Sequence, residues 1–112
     1  MAYDEALAQR ILNNLREQPG ITQRRMFGGI AFMRDGHMFV GISDDSLMAR
    51  VGPNQYEQIL GMKHVRKMVF TGRPIRGYVF VDRAGVKSEQ QLMEWLQRCA
   101  AFVGTLPAKS PG

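Results

Sequence analysis

The sequence predicts an α+β fold of two layers, a mostly antiparallel sheet with helices on one face, in the order α-β-β-β-α-β-β-α. Three observations lead to this prediction. Apolar residues recur at helical spacing at both ends of the chain, an Asp35-Gly36 turn joins two apolar strands, and two further β-type segments precede the last helix. Helices and strands in this order bury their apolar faces by packing the helices on the sheet.

Helices are predicted at both ends and once in the middle. The first has an apolar stripe of Tyr3, Leu7, Ile11 and Leu15. It ends before Pro19-Gly20, and a short helix lies between Pro53 and Gly61, with Gly61 as a left-handed stop. Ser88 and Gln91 have the spacing of a capping box that begins the last helix. That helix has one apolar face, formed by Leu92, Trp95, Leu96, Cys99, Phe102 and Val103.

The strands are predicted from turn residues between apolar runs. Residues 26–42 form paired strands around the Asp35-Gly36 turn, and a turn at Asp44-Asp45 leads into a third strand, 46–51. Residues 67–70 and 78–81 form two more strands, separated by a loop. The pair Gly28-Gly29 lies inside the first strand, where glycines indicate a bulge or the close approach of another backbone.

The Asp35-Gly36 turn also predicts a register, and the register predicts a binding surface. Phe32 pairs with Phe39, and these two share one face of the hairpin with Ile30. The other face is also apolar, although helices cover only one face of a two-layer sheet, so loops, the C-terminal tail or a partner must cover it. We predict that a protein partner or a second copy of the chain binds Met33, Met38, Val40 and Ile42.

The charge of the chain is unevenly distributed. The 112 residues carry a formal net charge of +5, and no acidic residue lies between Lys63 and Arg76. Two interpretations remain open: weak contacts to nucleic-acid phosphates, or basic side chains that keep an edge strand from pairing with other strands. The residues concerned are Lys63, Arg66, Lys67, Arg73 and Arg76.

No constellation of residues indicates catalysis, a metal site or a cofactor. His37 and His64 lie far apart in sequence without further ligands at metal-binding spacing. Cys99 lies on the apolar face of the last helix, which indicates a core residue. Asp44-Asp45 is explained by its turn. We therefore expect no catalytic residues, no metal, no cofactor and no enzymatic activity.

Length and composition predict one domain, residues 1–106, followed by a flexible tail, residues 107–112. The hydrophobic content of 45% and the charged content of 22% are those of a globular protein. One cysteine, no apolar run near the ~18 residues that span a bilayer, and no signal-peptide pattern predict a cytoplasmic protein without membrane contact.

Several motifs resemble the N-terminal domain of the TfoX/Sxy proteins, which regulate natural competence in bacteria. The resemblance covers about residues 3–102. Its motifs are Arg25-Met26-Phe27-Gly28-Gly29, Asp35-Gly36-His37-Met38-Phe39, Leu47-Met48-Ala49-Arg50-Val51, Gly72-Arg73-Pro74 and Gly77-Tyr78-Val79-Phe80-Val81. It implies the same two-layer fold. Regulators of this family carry a second, C-terminal domain, and we expect this chain to carry the N-terminal domain alone.

Together, these observations predict a small cytoplasmic protein-interaction module. The resemblance implies that it is a transcriptional co-regulator that acts through a protein partner or as a homodimer. The alternative is a protein that binds nucleic acid weakly and directly through its basic 63–76 region.

Overall fold

Six strands and three α-helices follow one another in the computed structural model, which describes residues 3–26 and 28–107. In chain order they are α1 (Glu5–Leu15), β1 (Ile21–Met26), β2 (Gly29–Arg34), β3 (His37–Ser43), β4 (Ser46–Arg50), α2 (Tyr56–Leu60), β5 (Val65–Phe70), β6 (Arg73–Val81), a 3-10 turn (Arg83–Val86) and α3 (Glu89–Val103). No helix in these ranges is long and apolar enough to cross a membrane.

The strands form one sheet in the order β1-β2-β3-β4-β6-β5, and every neighbouring pair is antiparallel. The buried residues of all three helices belong to one apolar cluster on one side of this sheet. The predicted α+β fold, with helices on one face, is therefore confirmed. The predicted tail lies outside the described residues except for Pro107.

The sheet has one strand more than predicted, because Ile21–Met26 forms a separate edge strand. Its central residues, Thr22 to Arg25, are polar and exposed, so the segment lacks the alternation that marks a half-buried strand. Gly28 has φ +75° and follows the end of β1, so its prediction inside a strand is wrong. Gly29 begins β2, and a Cβ atom there would clash with the carbonyl oxygen of Ile42. The predicted close backbone approach is confirmed at Gly29.

A β-bulge changes the predicted register of the β2–β3 hairpin. Met33 faces Met38 as predicted, but Phe32 faces Val40 and Ile30 faces Ile42, because the pairing shifts between Phe32 and Met33. Val40 and Ile42 therefore lie in the helix-side cluster together with the aromatic residues of the hairpin. Their predicted position beside Met33 and Met38 is wrong.

The other turns hold further differences from the prediction. The loop expected before the last strand is a two-residue turn, Thr71-Gly72, with φ +53° and +81°, which joins longer strands than predicted. The short helix begins at Tyr56, and Gly61 has φ −81°, so the predicted left-handed stop is wrong. Gly52, which precedes this helix, has φ +87°.

The N-terminal ends of α1 and α3 are capped by side chains. The Asp4 carboxylate accepts hydrogen bonds from the backbone N–H groups of Ala6 and Leu7, and the predicted capping box of Ser88 and Gln91 is present at the start of α3. These caps satisfy N–H groups that have no partner within a helix. The helices then bury their apolar faces against the sheet, with Trp95 of α3 in the helix-side cluster.

The opposite face of the sheet carries a second apolar cluster, which we call the methionine cluster. Ala31, Met33, Met38, Met48 and Met68 are buried in it, and partly buried side chains of Met26, Ile75, Tyr78 and Phe80 pack against them. All of these residues lie on strands, and each of the six strands contributes at least one. Strand side chains thus cover one another on the face that carries no helix.

Candidate interaction surface

The end of the β5–β6 hairpin projects beyond the rest of the sheet. β4 pairs with β6 only at Tyr78–Val81, and the carbonyl oxygen of Gly77 accepts hydrogen bonds from the N–H groups of Val51 and Gly52 at 2.8 and 3.1 Å. Beyond Gly77, β6 has β5 as its strand neighbour on one side only. We call this projecting part, residues 69–76, the arm.

The arm exposes apolar side chains on both of its faces. Val69 is 47% exposed and Phe70 is 43% exposed, and they pair with Pro74 and Arg73. Consecutive residues of a strand point to opposite faces, so neither face of the arm packs fully on the body of the domain. Ile75 is the arm residue that is half-buried, because it packs against the methionine cluster.

The five basic residues predicted to contact nucleic acid lie in or near this hairpin, but in different environments. All five are exposed. Lys63 precedes β5, Lys67 lies within it, and Arg73 lies on the arm. None of these three takes part in an ion pair within residues 3–26 and 28–107. They are free to meet an acidic group of a partner.

Arg66 is held in place by three contacts within the domain. Its Nε donates to Oδ1 of Asp82 at 2.7 Å, its Nη2 donates to the Ser46 hydroxyl at 2.9 Å, and its guanidinium lies 4.6 Å from the centre of the Phe80 ring. An arginine with a carboxylate partner and a stacked ring has few donors left for a phosphate. Arg66 thus ties β5 to β4 and to the end of β6.

Arg76 is intermediate between Arg66, which has three contacts, and the three basic residues that make no ion pair with a described residue. Its Nη1 is 3.7 Å from Oε1 of Glu57, and its guanidinium is 5.6 Å from the centre of the Tyr56 ring. Both members of this ion pair are largely exposed, so the pair stabilises the fold little. The structure therefore leaves four predicted basic residues with largely accessible charges, spread along the β5–β6 hairpin, and it engages Arg66 internally.

The predicted partner-binding residues occupy interior positions. Met33 is 5% exposed and Met38 is 4% exposed, and both lie in the methionine cluster. Val40 and Ile42 are fully buried on the helix side. The expectation that this face leaves an open apolar surface is wrong in this structure, because side chains from neighbouring strands cover it. Binding through these residues would require the apolar clusters on both faces of the sheet to open.

Arg50 is a residue at the edge of the methionine cluster that the sequence did not single out. Its Nη1 donates to the carbonyl oxygen of Met38 at 3.3 Å, and its guanidinium lies 5.4 and 5.6 Å from the ring centres of Tyr78 and Phe102. It thus joins β4, β3 and the end of α3. No local sequence pattern predicts such a contact, since its partners come from three distant segments.

The remaining polar candidates serve the fold. Nε2 of His37 lies 2.6 Å from the carbonyl oxygen of Pro107, and Asp44, with φ +54°, forms the predicted turn. Cys99 is fully buried, which confirms its core position, and burial raises the pKa of its thiol to about 12. Within the described part of the chain, no three His, Cys, Asp or Glu side chains come together as a metal site.

Two open grooves lie away from the arm. One of about 660 Å³ separates α1 from α3, with Leu15, Leu96 and Met93 in its lining. The other, of about 710 Å³, lies beside the start of α1 and is lined in part by Arg10 and Arg83. Neither groove is lined by a residue that the sequence predicted to be functional.

A comparison with protein-family models places this chain. The model of the TfoX N-terminal domain matches residues 13–103. The chain belongs to the TfoX N-terminal domain family. The match runs from the last residues of α1 through the sheet to the end of α3, so it includes the arm and the methionine cluster. No curated protein and no solved structure matches the chain.

The exposed side chains of Val69 and Phe70 are the feature that sequence reasoning missed. Both were expected to be ordinary strand residues. In the sequence, three consecutive apolar residues, Met68 to Phe70, stand between Lys67 and the tight turn at Thr71-Gly72. A strand that buries one face would alternate instead. The run therefore predicts apolar side chains on both faces of the hairpin, but it does not tell which of them are exposed.

Proposed function

We propose that this TfoX N-terminal domain is a protein-interaction module that acts in transcription regulation through a protein partner. The single observation that carries the proposal is the arm, which exposes Val69 and Phe70 beside Lys67 and Arg73, two basic residues that make no ion pair with another described residue. Exposed apolar side chains on a projecting hairpin are removed from water when a partner covers them, and such patches commonly mark interaction sites. Aromatic residues ringed by polar groups are also the usual energetic centre of protein interfaces.

The test is a pull-down from the native cell extract with and without nuclease. The bait variants are Val69→Ser/Phe70→Ser and, as a matched control, Met93→Ser, because Met93 is also 43% exposed but lies on α3. We expect the same partner with and without nuclease, and a loss of at least about tenfold for the arm variant alone, as for an interface centre. Retention by the arm variant would remove the arm from the interface.

The regulatory part of the proposal is supported by the family and is tested separately. Transcript levels are compared in cells that lack the gene and in cells complemented with the wild-type chain, the arm variant or Met93→Ser. We expect the wild-type chain and the Met93 variant to restore the transcript profile and the arm variant to fail. An unchanged profile in cells that lack the gene would argue against a role in transcription.

Direct binding to nucleic acid is a second candidate, favoured by the accessible charges of Lys63, Lys67 and Arg73. We expect this binding to be weak, independent of sequence and lost near physiological salt. The logarithm of the binding constant falls with the logarithm of the salt concentration, with a slope of about −0.9 for each phosphate contact. Fluorescence anisotropy with two unrelated DNA duplexes at low and physiological salt checks this. Tight, sequence-dependent binding at physiological salt would make nucleic acid the preferred partner.

A further inference from the structure

The two edges of the sheet differ in what they present to a partner strand. β1 exposes only polar side chains at its centre, Thr22 to Arg25. β5, at the other edge, exposes Lys67 and ends in the apolar pair Val69 and Phe70. Charged and polar side chains along an edge discourage pairing with other chains, whereas exposed apolar side chains favour it. β1 is therefore the protected edge, and β5 is protected over only part of its length.

We infer that the outer edge of β5 binds an extended, acidic segment of a protein partner, which adds to the sheet as a seventh strand. The inference rests on the proposed function and names the partner's chemistry. Within the described residues, β5 has β6 as its strand neighbour on one side and no strand on the other. The six residues of β5 offer about 20 Å of edge at ~3.4 Å per residue, the length of a short peptide strand.

Charge selects the partner. Lys63, Lys67 and Arg73 are exposed around this edge and make no ion pair with another described residue. A segment that carries carboxylates gains attraction along the edge, and opposite charges on neighbouring strands stabilise their pairing. A second copy of this chain would bring its own Lys67 to the same edge, which disfavours self-association. An acidic segment of another protein is the better complement.

The arm fixes what else the segment must carry. Val69 and Phe70 point to opposite faces near the end of the hairpin. A strand laid along β5 places consecutive side chains on alternate faces in the same way. Apolar residues at one end of the added strand can therefore cover both arm residues, while glutamates or aspartates follow beside Lys67. The expected partner sequence is a short run in which acidic and β-branched residues mix.

The probe for the test is an amidated peptide of about eight residues, long enough to cover β5, with consecutive valines at one end and alternating glutamate and valine over the rest. Amide hydrogen exchange and NMR shifts are recorded on the full chain. We expect slower exchange at residues 65–70 and at least about tenfold weaker binding for Lys67→Glu/Arg73→Glu. The matched control Arg24→Glu, on the protected edge, should bind the peptide like the wild type.

A second peptide separates strand addition from simple charge attraction. The same sequence with every backbone amide N-methylated keeps its carboxylates but has no N–H donor on either edge for a strand ladder. We expect its binding to be at least about tenfold weaker. Equal binding of the two peptides, protection located at β1 or in either groove, or no binding of the unmethylated peptide would each overturn the inference.

Two further outcomes separate this inference from the proposed function. If the pull-down partner is lost with Val69→Ser/Phe70→Ser while both peptides bind equally, the interaction module stands and strand addition fails. If sedimentation shows that the chain dimerises without peptide, and amide exchange shows that the dimer protects residues 65–70, the occupant is a second copy and the inference of an acidic segment is wrong. Val69→Ser/Phe70→Ser should keep its far-UV circular dichroism, as exposed positions do.

Discussion

Both faces of the sheet are buried, but by different means. On one face, helices lay branched and aromatic side chains over the strands, as with Trp95 and Leu92. On the other, methionines such as Met48 and Met68 reach zero exposure in a cluster whose described apolar residues all lie on strands. An unbranched, flexible thioether chain can bend over its neighbours and fill irregular gaps. A second layer is therefore not the only way to cover an apolar sheet face.

The largest effect is expected when a charge is introduced into the methionine cluster. Met48→Glu places a carboxylate among apolar side chains at a position with no exposure, which should cost more than about 4 kcal/mol or unfold the domain. Met93→Glu, on the exposed side of α3, is the control and should change little. Circular dichroism and thermal unfolding measure both. A melting temperature within a few degrees of the wild type for Met48→Glu would mean that this face is open to water.

Removal of the largest side chain of the helix layer should have the next largest effect. Trp95 is 5% exposed and packs in the helix-side cluster, so Trp95→Ala should cost on the order of 3–5 kcal/mol. Chemical denaturation gives the free energy of unfolding. A loss below about 1 kcal/mol would place α3 outside the cooperative core.

Two neighbours on β4 compare the faces directly. Leu47 points to the helix layer, Met48 points to the methionine cluster, and both have zero exposure. Each substitution by alanine should cost about 2–5 kcal/mol. We expect Met48→Ala to lose about 1 kcal/mol less unfolding free energy than Leu47→Ala, because the flexible methionines around it relax into the space that is left. The reverse order, measured by denaturation, would mean that the methionine face is packed as rigidly as the helix face.

The smallest effect concerns an ion pair on the outside of the helix layer. The hydrogen bond from Arg10 to Glu89, at 2.8 Å, is the main cause that lowers the pKa of Glu89, and Asn14 adds a second hydrogen bond. A carboxyl group whose pKa is lowered by folding stabilises the folded state at pH values above its ordinary pKa of 4.5. This stabilisation is lost as the pH falls through the pKa of the folded state. Glu89→Gln should be slightly less stable at neutral pH and equal to the wild type in acid. A difference that persists in acid would have another cause.

The sequence was sufficient for elements that carry a strong local signal. The capping box at Ser88, the apolar face around Trp95 and the turn at Asp35-Gly36 were all predicted and found. β1 was missed because its exposed side chains show no alternation. The faces of Val40 and Ile42 were wrong because no residue type signals a bulge reliably, and one extra residue reverses every later side chain.

The candidate surface shows the same division. The cluster of basic residues was visible in the sequence, since charge counts need no structure. The exposure of Val69 and the burial of Met38 were not visible, because both depend on which strands extend past their neighbours and which side chains fold over one another. These are long-range facts that a local pattern does not contain.

The reactivity of Cys99 can report how often the core of this domain opens. It is the one cysteine of the chain, it is fully buried, and its raised pKa keeps the thiol protonated at neutral pH. The thiolate is the nucleophile that attacks an alkylating reagent, so Cys99 can be modified only while the core is open. The rate of alkylation in native buffer then reports how often the last helix leaves the sheet, in purified protein and inside cells alike. A cysteine introduced on the arm would react at once, and partner coverage and core opening could be followed in one molecule by their separate rates.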